Sequence, residues 1–195
     1  MLDSWVKLAY DGGMKPVLVL MAPEFEEIEL TAPIDILRRL EIPVVTAGLE
    51  SRSVKGAHGL TVQAETLAVD ADPAAFDGII LPGGPASWTL RDTPRVLSLV
   101  RAMQAEGKLV AAICAAPIAL EAAGVLKGRR VTCYPAVKGD LKSAAEVTDA
   151  PAVTDGNIVT GRGPGAALEF GMELGKYFGK DVRTLRADMC MPAAK

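Results

Sequence analysis

The stretch KLVAAICAAPIAL, residues 108–120, decides how the fold is predicted. Its first six residues, 108–113, form a short apolar run that is typical of a buried β-strand. The segment APIALEAAG, residues 116–124, has helical spacing, and Pro117 falls in the first helical turn, where its missing N–H costs nothing. Cys114 therefore stands where the predicted strand gives way to a helix.

Short apolar runs alternate with amphipathic segments on both sides of this stretch. Strands are predicted at 15–21, 42–48, 76–84 (ending in a glycine turn), 129–134 and 156–161, with extended edge structure at 58–66. Further helices are predicted at 26–40, 93–107 and 165–179. The second of these has Thr93 at its N-cap, Pro94 after it and Gly107 beyond its end. The alternation predicts an α/β fold, a doubly wound sandwich with a mostly parallel central sheet.

Length and charge narrow the classes of protein to which this chain can belong. A chain of 195 residues is predicted to hold one domain, residues 15–195, after an amino-terminal extension, residues 1–14. The extension is either a short helix or a segment before an alternative start at Met14. The net charge is −3, and the one basic run, KGRR at 127–130, is predicted as a solvated loop, so no nucleic-acid partner is expected.

The cysteines and the apolar runs indicate the cellular compartment in which the protein is expected. Cys114, Cys133 and Cys190 are an odd number without C-x-x-C spacing, so neither a disulfide framework nor a zinc site is expected, and a reducing cytoplasm fits. No apolar run reaches the ~18–20 residues that a membrane-spanning helix needs. The first residues lack the apolar core of a secretory signal.

Cys114 is a candidate nucleophile because of its place between a strand and a helix. Ala112 and Ala116 flank it two positions on either side, which lets the chain make a sharp, strained turn. The start of the helix is expected to lower the thiol pKa from its ordinary value of ~8.5. The spacing alone also fits a small buried hydrophobic residue. Cys133 and Cys190 have no helix start behind them and are predicted to be structural.

A nucleophile needs groups that hold an anion. The N–H of Ala115 is one candidate, and the turn LPGGP supplies Gly83 and Gly84, whose backbone can face a ligand closely. On its own this glycine pair also fits an ordinary turn. The sequence lacks the glycine fingerprints of dinucleotide-binding proteins and P-loops, so no cofactor is predicted.

The base that would accompany Cys114 has to be a carboxylate. The chain has one histidine, His58, and none after Cys114, so a cysteine–histidine dyad is not expected. Four glutamates crowd the start of the first predicted helix: Glu24, Glu26, Glu27 and Glu29. Pro33 cannot donate to the Glu29 carbonyl, so the helix is expected to be distorted there. A buried member of the four would have a raised pKa and hold a proton for sulfur or substrate, but the residues alone do not select which one.

Four ordered segments resemble one known superfamily. They are VLVLMAPEFEEIELTAPIDILRR, GIILPGG, LVAAICAAP and GRGPG, and together they resemble the DJ-1/ThiJ/PfpI superfamily, most of all its DJ-1 branch and the bacterial relatives of that branch. The resemblance covers residues 15–179. It implies a flavodoxin-like fold, a catalytic cysteine at Cys114, a protonated glutamate partner at Glu29 and backbone donors at Gly84 and Ala115.

The resemblance also bears on assembly and substrate. Arg39 and His58 match positions that lie near the partner subunit's site, which implies a homodimer. Members of the DJ-1 branch usually have arginine where His58 stands, and animal members have histidine where Tyr134 stands. The protease branch places a histidine directly after the cysteine, where this chain has Ala115, so peptide hydrolysis is disfavoured.

Three functions are compatible with these residues. The resemblance favours a cofactor-independent enzyme that converts methylglyoxal or glyoxal to lactate or glycolate, removes such adducts from proteins, or does both. The alternative is an oxidative-stress sensor or redox-regulated chaperone that uses the same cysteine. A nucleotide-binding flavodoxin-like module with an incidental cysteine is the third and is disfavoured. A small aldehyde or glycated molecule is the expected substrate.

Overall fold

The computed structural model describes residues 13–192, and its centre is a seven-stranded sheet. In spatial order the strands are β10 (Ala152–Asp155), β11 (Ile158–Gly161), β7 (Leu109–Ile113), β6 (Gly78–Leu81), β1 (Val17–Met21), β2 (Val44–Gly48) and β5 (Thr66–Leu67). Only the edge pair β10–β11 is antiparallel. The predicted mostly parallel sheet is confirmed.

The sheet is covered by helices because its inner strands are apolar on both faces. Every residue of β1, β6 and β7 is buried. The helices are α1 (Glu27–Arg39), α2 (Ala86–Asp92), α3 (Pro94–Ala105), α4 (Pro117–Ala122), α5 (Ala167–Tyr177) and α6 (Arg183–Asp188). The first and fifth pack against each other, whereas α2, α3 and α4 form a second group against β6 and β7. The architecture is the predicted flavodoxin-like doubly wound sandwich.

Two small sheets lie outside the central one. An antiparallel pair joins β3 (Ser53–Lys55) to β4 (Thr61–Gln63), and a parallel pair joins β8 (Arg130–Thr132) to β9 (Glu146–Thr148). The predicted strand at 129–134 is therefore not part of the central sheet, although the Thr132 N–H donates to Thr160 Oγ1 of β11 at 2.9 Å. The extended segment predicted at 58–66 contains β4, and β5 overlaps its end as the edge of the main sheet.

The predicted extension, residues 1–14, lies outside the described residues except for Gly13 and Met14. Between residues 13 and 192, none of the helices is both long and apolar enough to cross a bilayer.

The strand order places a crevice near the middle of the sheet. From the central strand β1 the chain first builds β2 and β5 on one side, then crosses back to build β6, β7 and β11 on the other. In open α/β sheets, ligands bind beyond the carboxyl ends of the strands at such a reversal. Glu29, Gly83 and Cys114 follow β1, β6 and β7 respectively, so the fold brings these three segments to one edge.

Candidate active site

Cys114 occupies a strained turn between β7 and α4. Its φ angle is +65°, in the left-handed region that costs a residue with a side chain ~1–2 kcal/mol. Neighbouring backbone holds it there: the Cys114 N–H donates to the Gly161 carbonyl at 2.9 Å, and the Tyr134 N–H donates to the Cys114 carbonyl at 2.7 Å. The prediction of a sharp, strained turn at this cysteine is confirmed.

Glu29 is oriented by the cap at the start of α1. The N-cap residue is Glu26, whose Oε2 accepts a hydrogen bond from the Glu29 N–H at 2.8 Å. The Glu26 N–H in turn donates to the Gly83 carbonyl at 3.0 Å, which ties the helix start to the turn after β6. Helix α1 is continuous through Pro33, and the cap at Glu26 accounts for how Glu29 is aimed.

The Glu29 carboxyl is buried between the turn after β6 and Cys114. The residue has no solvent exposure, and Oε2 accepts a hydrogen bond from the Gly83 N–H at 2.9 Å. The other oxygen, Oε1, has no hydrogen-bond partner in the described part of the chain, and the carboxyl lies close enough to the Cys114 thiol for each group to shift the pKa of the other. The structure thus brings one of the four candidate glutamates to the cysteine.

Two backbone N–H groups converge on the same sulfur. They belong to Gly84 and Ala115, the residues predicted as anion donors, and both hydrogen bonds favour the thiolate form of Cys114. Gly84 has a φ of +84°, and a Cβ there would lie 2.7 Å from the Glu26 nitrogen, so only glycine fits this donor position. The sulfur therefore has two N–H donors and one carboxyl around it.

The protonation of the pair differs from the prediction for Cys114. Burial, with the nearby charge of Glu26, raises the pKa of Glu29 to about 7. Burial, with the charge and hydrogen bond of Glu29, raises the pKa of Cys114 to about 12. The predicted lowering of the thiol pKa is therefore wrong while Glu29 is ionised, because the two N–H groups do not offset burial and a neighbouring carboxylate.

The pair shares a single proton over a wide pH range. Between about 7 and about 12 it holds one proton, which resides on the sulfur or on the carboxyl. When Glu29 takes this proton, its charge disappears and its O–H can donate to the sulfur. In this form the site holds a thiolate beside a neutral carboxylic acid, and a thiolate is the form of cysteine that attacks carbon.

Arg39 and His58 do not reach Cys114 within this chain. Arg39 lies in the last turn of α1 and pairs with Asp35 at 2.7 Å, ten residues and so about 15 Å along the helix from Glu29. His58 is exposed, and its Nδ1 lies 2.8 Å from Glu27 Oε2. A contribution of either residue to a partner subunit's site stays a prediction.

One group of side chains near the site has the composition of a metal site. Glu26, Glu27 and His58 each bring one ligand atom within 4.8 Å of the others. The carboxylates of this group already have hydrogen-bond partners. Glu27 accepts from the His58 backbone N–H at 2.6 Å and contacts the His58 ring, and Glu26 accepts from the Glu29 N–H. The cluster therefore fastens the His58 loop to α1.

Sequence reasoning missed the role of Glu26. It interpreted this residue as one of several helix-start charges, whereas the side chain is buried and caps the helix that carries Glu29. The available signal was spacing: Glu26 stands three residues before Glu29, and an N-cap side chain commonly accepts from the N–H three residues later. Glutamate is an unusual N-cap residue, so the signal was weak.

Gly83→Ala is expected to disrupt the pairing of Cys114 and Glu29. A Cβ at Gly83 would overlap Glu29 Oε2 and lie 2.6 Å from the Cys114 Cβ. Overpacking of this kind costs about 1–3 kcal/mol of folding free energy. The alkylation rate of Cys114 by iodoacetamide, followed by peptide mass spectrometry, should change several-fold, together with a lower urea midpoint.

Gly139→Ala is the matched control for this variant, since a Cβ at Gly139 meets no atom within 4 Å. Both readouts should stay at wild-type values in the control. If Gly83→Ala keeps the alkylation rate and the urea midpoint of the wild type, the close approach of Gly83 to Glu29 and Cys114 is contradicted.

Comparisons with known proteins identify the family of the chain. Residues 15–176 match the DJ-1/PfpI family. The chain is 41% identical over 149 residues to a protein named a deglycase from Pyrococcus horikoshii, a match that covers 76% of this chain and 90% of that one. The solved structure of Drosophila melanogaster DJ-1beta superposes with a TM-score of 0.87 at 34% identity, over 92% of this chain and 99% of that one. The solved structure of a cysteine-to-alanine variant of a DJ-1 superfamily protein from Salmonella typhimurium superposes with a TM-score of 0.86 at 38% identity, over 92% of this chain and 100% of that one. The chain belongs to the DJ-1/PfpI family.

Proposed function

We propose that the chain is a cofactor-independent enzyme that acts on reactive carbonyl compounds, with Cys114 as nucleophile and Glu29 as acid and base. The observation that carries the proposal is the surroundings of one sulfur: two backbone N–H donors and a buried carboxyl whose pKa is about 7. A group with that pKa gives and takes protons readily at neutral pH. The deglycase name of the Pyrococcus horikoshii relative supports the same chemistry.

With methylglyoxal the reaction needs no outside oxidant. The Cys114 thiolate adds to the aldehyde carbon, and the carbonyl oxygen takes the proton of Glu29 to give a hemithioacetal. The Glu29 carboxylate then removes the hydrogen of that carbon, the hydroxyl proton passes to the ketone oxygen to give an enediolate, and Glu29 returns its proton to the former ketone carbon. The aldehyde carbon is oxidised to a thioester while the ketone is reduced to an alcohol. Water cleaves the thioester to release lactate and the free thiol.

The N–H groups of Gly84 and Ala115 have a role in both states of this cycle. They hydrogen-bond to the sulfur in the free site. When the sulfur loses its negative charge by bonding to carbon, the same donors can hold the oxygen on which charge develops. Stabilisation of this kind is worth about 3–4 kcal/mol per donor in other enzymes.

Deglycation follows from the same first intermediate. In the adduct of an amine with methylglyoxal, the sulfur attacks the carbon that bears the nitrogen. The C–N bond breaks, and the amine leaves with the Glu29 proton, which gives the hemithioacetal already described. Release of lactate from a preformed adduct in the presence of an excess scavenger of free methylglyoxal distinguishes this activity from turnover of the free aldehyde.

Product identification by NMR tests the proposal. Chelator-treated protein without added thiol is incubated with methylglyoxal, and one lactate is expected for each methylglyoxal consumed. Consumption without lactate, or no consumption beyond that of buffer, would overturn the proposed reaction.

A redox-sensor role uses the same sulfur and has one observation in its favour. The Gly84 and Ala115 N–H groups point at Cys114 and would also hold the oxygens of a sulfinate. Two equivalents of peroxide oxidise the thiolate, first to sulfenate and then to sulfinate, with release of water or hydroxide. Peptide mass spectrometry after mild peroxide should find two oxygens on Cys114. Oxygen on Cys133 or Cys190 alone would exclude this role.

We also propose that the protein is a homodimer. A groove of about 420 Å³ lies between α1 and β4, with Leu30, Ile34 and Val62 in its lining. Two large apolar side chains from the same two segments, Ile28 and Leu60, are 53% and 50% exposed and could be covered by a second copy of the chain. Analytical ultracentrifugation should give a mass twice that of the 20.4 kDa chain for the wild type. The variant Leu60→Asp should give a lower average mass, because a charge there would weaken the interface. A single-chain mass for the wild type would contradict the proposal.

A further inference from the structure

A cavity of about 440 Å³ lies beside the Cys114 turn. Its lining consists of Tyr134, Pro135, Pro151 and residues 162–166, and it is called the Tyr134 cavity here. None of these residues belongs to the group of donors around the sulfur, so the reaction described above leaves the cavity unused.

Both walls of the Tyr134 cavity are attached to the backbone of Cys114. The Tyr134 N–H donates to the Cys114 carbonyl at 2.7 Å, which fixes the first wall. The Cys114 N–H donates to the carbonyl of Gly161 at 2.9 Å, and the second wall begins at the next residue. The position of the cavity is therefore set by the same hydrogen bonds that set the strained turn.

The cavity is larger than a three-carbon aldehyde requires. A molecule with five non-hydrogen atoms fills on the order of 100 Å³, judged from a water molecule's ≈30 Å³ share of liquid volume. Cavities of ~300–1,000 Å³ are those that hold larger organic ligands. At about 440 Å³, the Tyr134 cavity has room for a substituent the size of an aromatic ring beyond the two reacting carbons.

The walls are rigid and mostly apolar. Three prolines, Pro135, Pro151 and Pro164, contribute surfaces with a fixed backbone φ, so the cavity is preformed. Tyr134 is 45% exposed and offers a ring face for stacking. Such walls favour a flat hydrophobic group over a flexible or strongly hydrated one.

The charges beside the cavity disfavour a cationic substituent. Arg162 lines the cavity and lies 3.2 Å from Asp149, while Lys138 approaches the same carboxylate at 3.8 Å. Arg162 is the charged residue of the cavity lining, whereas the carboxylates of Asp149 and Asp140 lie outside the lining, so the charge that faces the cavity is positive. A substituent with a guanidinium or ammonium group would meet repulsion there.

We infer that the Tyr134 cavity binds the substituent of the substrate, and that the preferred substrates are 2-oxoaldehydes with a flat, uncharged hydrophobic group. This inference rests on the proposed function, because the reacting carbons must lie at Cys114. Burial of such a group contributes about 1.5–3 kcal/mol, which corresponds to a preference of about 10- to 150-fold over methylglyoxal.

Initial rates with phenylglyoxal and methylglyoxal test the inference. In the wild type, kcat/KM for phenylglyoxal should exceed that for methylglyoxal by about tenfold or more. Gly163→Val fills the cavity from one side: a Cβ at Gly163 meets only the Tyr134 ring, at 3.6 Å, and the extended backbone there accepts any residue. Tyr134→Ala removes the stacking face. Either change should lower the ratio of the two kcat/KM values about tenfold, through the KM for phenylglyoxal.

Val69→Ala is the control, since Val69 is an exposed apolar residue outside the cavity lining. It should keep the wild-type ratio. Turnover of methylglyoxal with no preference for phenylglyoxal, or with the same ratio in wild type, Gly163→Val and Tyr134→Ala, would overturn the inference alone. Absence of turnover of both aldehydes would overturn the proposed function and the inference with it.

Discussion

Cys114→Ala is expected to lower kcat/KM for methylglyoxal by at least ~10⁴-fold, since loss of the nucleophile removes the covalent intermediate and leaves only binding and the anion donors. Lactate formation by the variant should fall to the rate of buffer. Cys190→Ser is the matched control, because Cys190 is exposed and has no part in the site. Equal rates for wild type and Cys114→Ala would contradict the role of the sulfur.

The same position should show the cost of the strained turn. Glycine adopts a φ of +65° without the penalty that a Cβ brings, so Cys114→Gly should unfold at a higher urea concentration than Cys114→Ala. The expected difference is about 1 kcal/mol in the free energy of unfolding. Neither variant has the thiol, so the comparison separates the strain from the chemistry. Equal stability would mean that the turn relaxes in the absence of the thiol.

The fold could be predicted from local patterns because they agree with one another. The run 108–113 became β7, and the segment that begins with Pro117 became α4, as hydrophobic pattern and proline position predict. The strain at Cys114 could also be predicted, since Ala112 and Ala116 leave room for a tight turn. Short pieces such as β9 and α6 carry too few residues for a periodic signal and went unpredicted.

The details of the site depend on burial, which the sequence does not state. Four glutamates had the same composition signal, and only the packing of α1 against the turn at Gly83 decides that Glu29 is the buried one. The sign of the Cys114 pKa shift was wrong for the same reason. The helix start and two N–H groups favour a thiolate, but burial and the Glu29 charge act more strongly.

Glu29→Gln is expected to lower kcat/KM for methylglyoxal by about 10²–10⁴-fold, the usual contribution of a general acid or base. The pH profile should change as well. In the wild type, kcat/KM should rise with pH through about 7, as the pair passes from two protons to one and the reactive thiolate–acid form appears. Glutamine does not titrate, so this inflection should vanish. In the variant the thiol should also ionise below about 12, because the carboxylate that raises its pKa is gone.

The same substitution should stabilise the protein at neutral and alkaline pH. The folded pKa of Glu29, about 7, lies above its ordinary value of 4.5, so folding binds a proton in that window and stability falls as pH rises from 4.5 to 7. Above pH 7 the buried carboxylate costs about 3 kcal/mol, and glutamine avoids this cost. Urea unfolding should therefore show no difference between Glu29→Gln and wild type at pH 4, and a more stable variant at pH 8. Glu24→Gln, at an exposed glutamate of the same segment, should follow the wild type at both pH values. A Glu29→Gln variant that is less stable than wild type at pH 8 would mean that the ionised carboxyl is stabilised by its site, and would remove the reason for a proton-sharing pair with Cys114.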